Sequence, residues 1–428
     1  MDAVRRALGS PCLTSLARLL ALSATTLAAA CGGEDAGAQG PYAKQVNEAI
    51  PVIERGTGLR FKQRPVLEER SKEELRAYLE EQFRTRAAED VAQQEIMLRR
   101  LGLIPDSLRL GEFLIEFYTE QVAGYYDPAT KKLYIVKGIA PEVVALTVSH
   151  ELVHALQDQY TNLDSLLQVK GADDQVMAAQ AVVEGQAMLV PIKAMGGVLN
   201  LPGGWEQVRQ LVREQTRQQY PVLASAPSIL LETSIFPYLS GLEFMRRVET
   251  QRPGTQPYGS NFPKSTEQIL HPEKYFDAPD APSRITLPTP SGATDTYQNE
   301  VGEFPIRVFL FEHLQNQADA VRIAAGWDGD RYMVLGTPRG EGIVWVTTWD
   351  SPVDAIEFAQ ALDAVVARRF GAVQPAAGDP SGKTYTTRGR TMWVWGGEID
   401  TKPAVVYVDV PEGVRPDVIR PEQVTVQD

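Results

Sequence analysis

His150-Glu151-Leu152-Val153-His154 is the stretch on which the interpretation of this sequence depends. On an α-helix, positions i and i+4 share one face, so the two imidazoles can bind one metal ion while the carboxylate between them reaches a water on that ion. The flanking sequence predicts a helix, because Pro141 suits a first turn and no Pro or Gly interrupts the apolar segment 143–156. The motif is typical of a catalytic zinc site with its general base.

A β-hairpin is predicted directly before this helix. Residues 122–126 and 133–136 have the composition of strands, and 127–130 has the composition of a turn. The edge of such a hairpin could pair with an extended peptide. A sheet edge without a partner explains the same pattern.

A second helix is predicted from Asp173 to Val190, bounded by Pro191. Glu184 lies inside its apolar pattern, where a carboxylate is costly to bury unless it is paired or bound to a metal. We therefore expect Glu184 to be a third zinc ligand. The alternative is an exposed or ion-paired helix glutamate.

The two helices together resemble the gluzincin branch of the zincin metallopeptidases, which combine H-E-x-x-H with a glutamate on a following helix. The resemblance implies one zinc ion bound by His150, His154 and Glu184, with Glu151 as the general base that activates the zinc water. Met188 stands where several gluzincins have an Asp that supports the site. Asp158, one turn after His154, is the candidate for orienting a ligand.

A further resemblance involves two segments. The H-E-L-x-H-A-L-Q-D-Q pattern at 150–159 and the stretch 264–275 are similar to uncharacterised bacterial zincin-like lipoproteins. A zinc peptidase also needs a hydrogen-bond donor for the oxyanion, and the candidates are His271, Tyr275 and Tyr238. The alternative for His271 is a structural hydrogen bond near a helix end.

The amino terminus predicts export. A basic start is followed by an apolar run at 19–30, too short for a membrane-spanning helix, and small residues precede Cys31. We interpret 1–31 as a signal peptide with a lipobox and Cys31 as the lipidation site, followed by a flexible tether at 32–40. Simple cleavage after Ala30 is the alternative. The expected location is the cell envelope, as a membrane-anchored lipoprotein on the periplasmic or surface face.

The expected fold class is α+β. Residues 41–285 would form a mainly helical zincin-like peptidase domain with a small sheet before the active-site helix, and 286–428 a smaller α+β domain. Ser71 and Glu74 predict a capping box that opens a charged helix running toward Leu101. Five of the six Trp lie in the C-terminal half, where we expect them in a core. We interpret 327–330 as a turn before a strand.

Charge and cysteine content exclude some functions. The formal net charge is -13 and the pI is about 5.0, with no compensating basic block, which argues against a nucleic-acid partner. The two cysteines, Cys12 and Cys31, both lie in the predicted signal segment, so no disulfide is expected in the mature fold.

The function expected from the sequence is zinc-dependent hydrolysis of peptide bonds in a peptide or protein substrate. Two alternatives from other classes remain. One is a catalytically silent zinc-binding envelope protein that acts in binding or assembly. The other is a helical scaffold in which H-E-x-x-H occurs by accident.

Overall fold

The computed structural model describes residues 41–167, 169–194, 196, 220–371, 382–387 and 389–428. The predicted signal peptide, the lipobox with Cys31 and the tether at 32–40 lie outside these residues. None of the helices within the described ranges combines the length and the apolar character needed to cross a membrane.

The α+β class is confirmed, with a helical N-terminal part and a sheet-rich C-terminal region. The N-terminal helices are α1 (Ala43–Thr57), α2 (Lys72–Gln82), α3 (Ala88–Arg100), α4 (Leu110–Gln121), α5 (Pro141–Asp158), α6 (Leu163–Leu167), α7 (Asp173–Ala194), α8 (Pro221–Ala224), α9 (Ser228–Gln251), α10 (Thr266–Leu270) and α11 (Glu273–Phe276). Helix α5 carries the H-E-x-x-H motif and begins at Pro141, as predicted.

The start of α2 forms the predicted capping box. The Ser71 hydroxyl accepts from the Glu74 backbone N–H at 3.2 Å, and the Glu74 carboxylate accepts from the Ser71 N–H at 2.7 Å. The charged helix does not run unbroken, because a π-helical turn at Phe83–Ala87 separates α2 from α3.

The predicted hairpin is present and belongs to a three-stranded sheet. Strand β2 (Gly124–Asp127) pairs antiparallel with β3 (Lys132–Val136), and β1 (Val66–Arg70) pairs parallel with the other side of β3. The central strand is therefore β3, and β2 is the edge strand that lies against α5. All four residues of β2 are buried.

Helices α7 and α9 pack with their backbones close together near the motif. A Cβ on Gly185 would lie 2.2 Å from the carbonyl of Gly241, and a Cβ on Gly241 would lie 1.9 Å from the carbonyl oxygen of Ala181. Glycine at both positions lets the two backbones touch. The predicted helix end at Pro191 is wrong, because α7 continues to Ala194; in this last turn the ring removes a single i→i−4 hydrogen bond.

The C-terminal region is an antiparallel six-stranded sheet with helices on one face. Its strand order is β5 (Thr294–Asn299), β6 (Trp327–Thr337), β7 (Gly340–Trp349), β10 (Lys402–Pro411), β9 (Arg390–Ile399) and β8 (Lys383–Thr387). The helices are α12 (Glu303–Leu314), α13 (Gln317–Ala324) and α14 (Pro352–Phe370). The other face packs against the hydrophobic residues of a two-stranded ribbon of β4 (Arg284–Thr286) and β11 (Thr425–Gln427).

The tryptophans pack largely as a core. Trp327, Trp345 and Trp349 are each at most 1% exposed. The predicted turn at 327–330 is wrong, because these residues begin strand β6. Asp330 explains the difference, since its buried carboxylate accepts from the indole N–H groups of Trp327 and Trp345 and thereby holds the acidic segment inside the sheet.

The predicted domain boundary at residue 285 stays a prediction. Strand β4 spans it, and one hydrophobic cluster contains residues from both sides. Phe236 of α9 stacks on Phe304 of α12 with ring centroids 4.1 Å apart.

Candidate metal centre

Helices α5 and α7 bring three potential metal ligands together. Glu184 Oε2 lies 3.1 Å from His150 Nε2 and 3.3 Å from His154 Nε2, and the two Nε2 atoms lie 3.1 Å apart. The three residues are between 5% and 9% exposed. This group has the donor types and the spacing to hold a metal ion.

The electrostatics of the group favour a bound positive charge. Burial alone would lower the pKa of His154, but the charge and hydrogen bond of Glu184 raise it to about 9. Burial alone would raise the pKa of Glu184, but the charge of His154 and the hydrogen bonds from both imidazoles lower it to about 2. The ionised carboxylate is thus stable in a buried position because positive charge faces it.

Glu151 points its carboxylate to the same buried region. It is 2% exposed, and burial raises its pKa above the ordinary value. The backbone N–H of Tyr126 in β2 donates to this carboxylate. Its Oε2 has no hydrogen-bond partner among the described residues, so this oxygen is available to a water or a substrate group.

Gln157, which the sequence analysis missed, contacts a ligand residue. Its Oε1 lies 2.9 Å from His154 Nδ1, and its Nε2 donates to the Val183 carbonyl at 2.9 Å and to Gln186 Oε1 at 3.0 Å. The available signal was a polar residue three positions after His154, which places it one turn from that histidine on the same helix.

Asp158, the predicted orienting residue, contacts other groups. Its carboxylate accepts from the Tyr126 hydroxyl at 2.8 Å, from Lys131 Nζ at 2.6 Å and from the Leu163 N–H at 3.2 Å. These contacts join α5 to the hairpin and to the start of α6. Among the described hydrogen bonds of Asp158, none reaches the three ligand residues.

The three candidates for an oxyanion donor lie in different environments. Tyr238 of α9 stacks on the His150 ring with centroids 6.1 Å apart. His271 Nε2 lies 3.0 Å from Glu303, and the Tyr275 hydroxyl donates to the Asn261 carbonyl at 2.6 Å. Within the described contacts, Tyr238 is the candidate that touches a ligand residue.

A cavity of about 200 Å³ lies one helical turn from the centre. It is lined mainly by apolar residues of α3, α4, α7 and α9. Gln180 and Ser234 reach it, one turn before Glu184 and Tyr238 on their helices. The ligand residues do not line it.

The family match found for this chain lies in its C-terminal region. Residues 289–408 match a family described as a domain of unknown function, DUF8575. This range runs from before β5 into β10 and does not include the candidate metal centre. Neither a curated protein nor a solved structure matches the chain.

Proposed function

We propose that this protein is a zinc-dependent metallopeptidase, with His150, His154 and Glu184 as the zinc ligands and Glu151 as the general base. The observation that carries the proposal is the convergence of three donor atoms within 3.1–3.3 Å of one another. The buried, unpartnered oxygen of Glu151 beside them supports a catalytic use of the site.

The donor set and its spacing fit zinc. Two imidazole nitrogens and one carboxylate oxygen are typical zinc ligands, and neighbouring ligand atoms in a tetrahedral site with bonds of ordinary length are about 3.3 Å apart. Structural zinc sites use four protein ligands, whereas catalytic sites use three and leave one position for water or substrate. The group contains three, among the described residues. Three protein ligands, rather than four, favour the peptidase over the catalytically silent zinc-binding protein.

The proposed chemistry assigns a role to each residue. A zinc ion in this site would acidify a water and polarise the scissile carbonyl. Glu151 would take the proton from that water and deliver it to the leaving amine. Tyr238 is the proposed donor to the oxyanion.

Export and membrane anchoring belong to the same proposal. Lipidation at Cys31 would place the peptidase at the cell envelope, on the periplasmic or surface face. The Cys31→Ala variant should then move from the membrane fraction to the soluble fraction. A membrane fraction unchanged by this substitution would contradict the anchor and leave the zinc chemistry unaffected.

The test of the peptidase combines metal analysis with activity. Purified wild-type protein should contain one zinc per chain and cleave denatured casein or members of a peptide library. Glu151→Gln should keep the zinc and lower kcat by about 10²–10⁴-fold, because general base catalysis typically contributes that much. Asp106→Asn is the matched control, since Asp106 has a largely exposed carboxylate (89%) outside the centre; its rate should be that of the wild type.

Two results would refute the proposal. One is wild-type protein that binds no zinc. The other is an equal peptidase rate in wild type and Glu151→Gln. Zinc binding without cleavage of any tested substrate would instead support the silent zinc-binding protein.

A further inference from the structure

We infer that Gln157 is a positioning residue that holds His154 in the tautomer whose Nε2 can bind a metal. The inference rests on the proposed function, since it concerns the same metal centre. The evidence is a chain of three hydrogen-bonded side-chain amides, those of Gln256, Gln186 and Gln157, in which the contacts fix the orientation of each amide.

The direction of this chain is set at its far end. Gln256 Nε2 donates to the backbone carbonyl of Thr57 at 2.7 Å. A carbonyl only accepts, so the amide of Gln256 must turn its nitrogen to Thr57 and its oxygen to Gln186. Gln186 Nε2 donates to that oxygen at 3.1 Å, which leaves Gln186 Oε1 facing Gln157.

The contacts of Gln157, at the other end of the chain, require the same orientation independently. Gln157 Nε2 donates to both Gln186 Oε1 and the backbone carbonyl of Val183. Gln157 must therefore present its oxygen to His154. Two backbone carbonyls, at Thr57 and at Val183, thus require the same orientation of the three amides.

The orientation of the Gln157 amide determines which ring nitrogen of His154 keeps its proton when a metal is bound. An amide oxygen accepts, so His154 Nδ1 must carry a proton to pair with it at 2.9 Å. An imidazole that binds a metal is neutral and has one proton, and with that proton on Nδ1 the lone pair lies on Nε2. Nε2 is the atom that lies 3.1 Å from His150 Nε2 and 3.3 Å from Glu184.

Burial makes the arrangement rigid. Gln157 is 1% exposed and Gln186 is 5% exposed. If either amide were rotated by 180°, its buried N–H groups would face other N–H donors and would lose their acceptors. The acceptor at His154 is also uncharged. Gln157 therefore orients the ring without adding negative charge to a centre that already contains Glu151 and Glu184.

The first experiment measures zinc affinity by competition with a fluorescent chelator. Gln157→Leu has nearly the same size but no acceptor, and we expect its zinc dissociation constant to be about 10–100-fold higher than that of the wild type. Gln121→Leu is the matched control. Gln121 is 3% exposed and its amide atoms have no hydrogen-bond partner in the described structure, so its removal should leave zinc affinity unchanged.

The second experiment does not depend on how well a variant folds. The chain has four histidines, so ¹⁵N-histidine labelling gives a simple long-range ¹H–¹⁵N spectrum of the zinc-loaded wild type. The two histidines whose signals change when zinc is added to the wild type are the ligands, and each should show a protonated Nδ1 and zinc on Nε2. Zinc on Nδ1, or equal zinc affinity in wild type and Gln157→Leu, would overturn the inference and leave the proposed peptidase standing. Wild-type protein without zinc would instead remove the proposed function itself.

Discussion

Two groups of potential metal ligands among the described residues differ in whether a lysine of the chain already lies between them. The first is the candidate metal centre, the triangle of His150, His154 and Glu184. The second is a set of three carboxylates, from Glu267, Asp280 and Asp350, which also have the spacing of metal ligands. Both groups concentrate acceptor atoms, yet their chemistry differs.

The second group already contains a cation of the chain, the Lys274 ammonium. Lys274 Nζ lies 2.6 Å from Glu267, 3.1 Å from Asp280 and 2.8 Å from Asp350. The ammonium takes the place that a metal ion would need, and it joins α10 and α11 to the end of β7. The comparison teaches that spacing of acidic groups alone does not define a metal site. A nearby lysine or arginine must also be looked for.

The largest expected effect separates the two groups by metal content. The double variant His150→Ala/His154→Ala should contain no stoichiometric zinc, because two of its three donors are gone. Asp280→Asn/Asp350→Asn removes two donors from the other group and should keep one zinc per chain. Metal analysis of both purified proteins checks this. Zinc retained by the double histidine variant would favour an accidental motif.

A smaller effect concerns the helix contact that brings α9 to the metal centre. Gly185→Ala should lower the free energy of unfolding by about 1–3 kcal/mol, because its Cβ would lie 2.2 Å from the Gly241 backbone. The displaced α9 should also move Tyr238 from the His150 ring. Gly111→Ala is the control: it is helical and its Cβ would meet Val91 at 3.7 Å, an ordinary contact. Urea unfolding should show the control at least as stable as the wild type.

A third effect is a pH dependence within the group around Lys274. Burial raises the pKa of Glu267 from 4.5 to about 9, although Lys274 opposes this. Between these values the folded state keeps a proton that the unfolded state has lost, so this group's contribution to stability falls as pH rises through that window. Glu267→Gln cannot lose a proton and should show a shallower decline.

The measurement is the free energy of urea unfolding at several pH values within that window. Asp280→Asn alters a carboxylate that is 40% exposed and should keep the wild-type slope. An equal slope in Glu267→Gln and wild type would show that Glu267 does not keep its proton in the folded protein.

Local patterns predicted much of the fold. The capping box at Ser71, the hairpin before α5 and the alternation of helices and strands after residue 300 follow from short-range preferences, which a sequence displays directly. The continuation of α7 past Pro191 and the inclusion of 327–330 in β6 were not predicted. Both depend on tertiary packing, which outweighs the local preference of proline and of an acidic, glycine-containing segment.

The sequence by itself determined the pair of histidines and Glu151, because their spacing on one helix needs no other information. Glu184 was predicted from a carboxylate in an apolar pattern, but only the tertiary structure placed its oxygen at 3.1 and 3.3 Å from the two imidazoles. The amide chain through Gln157 and the stacking of Tyr238 were decided by tertiary structure as well. The reason is physical: these contacts join helices that are separate in sequence, and the close approach of α7 and α9 at Gly185 and Gly241 carries Tyr238 toward the His150 ring.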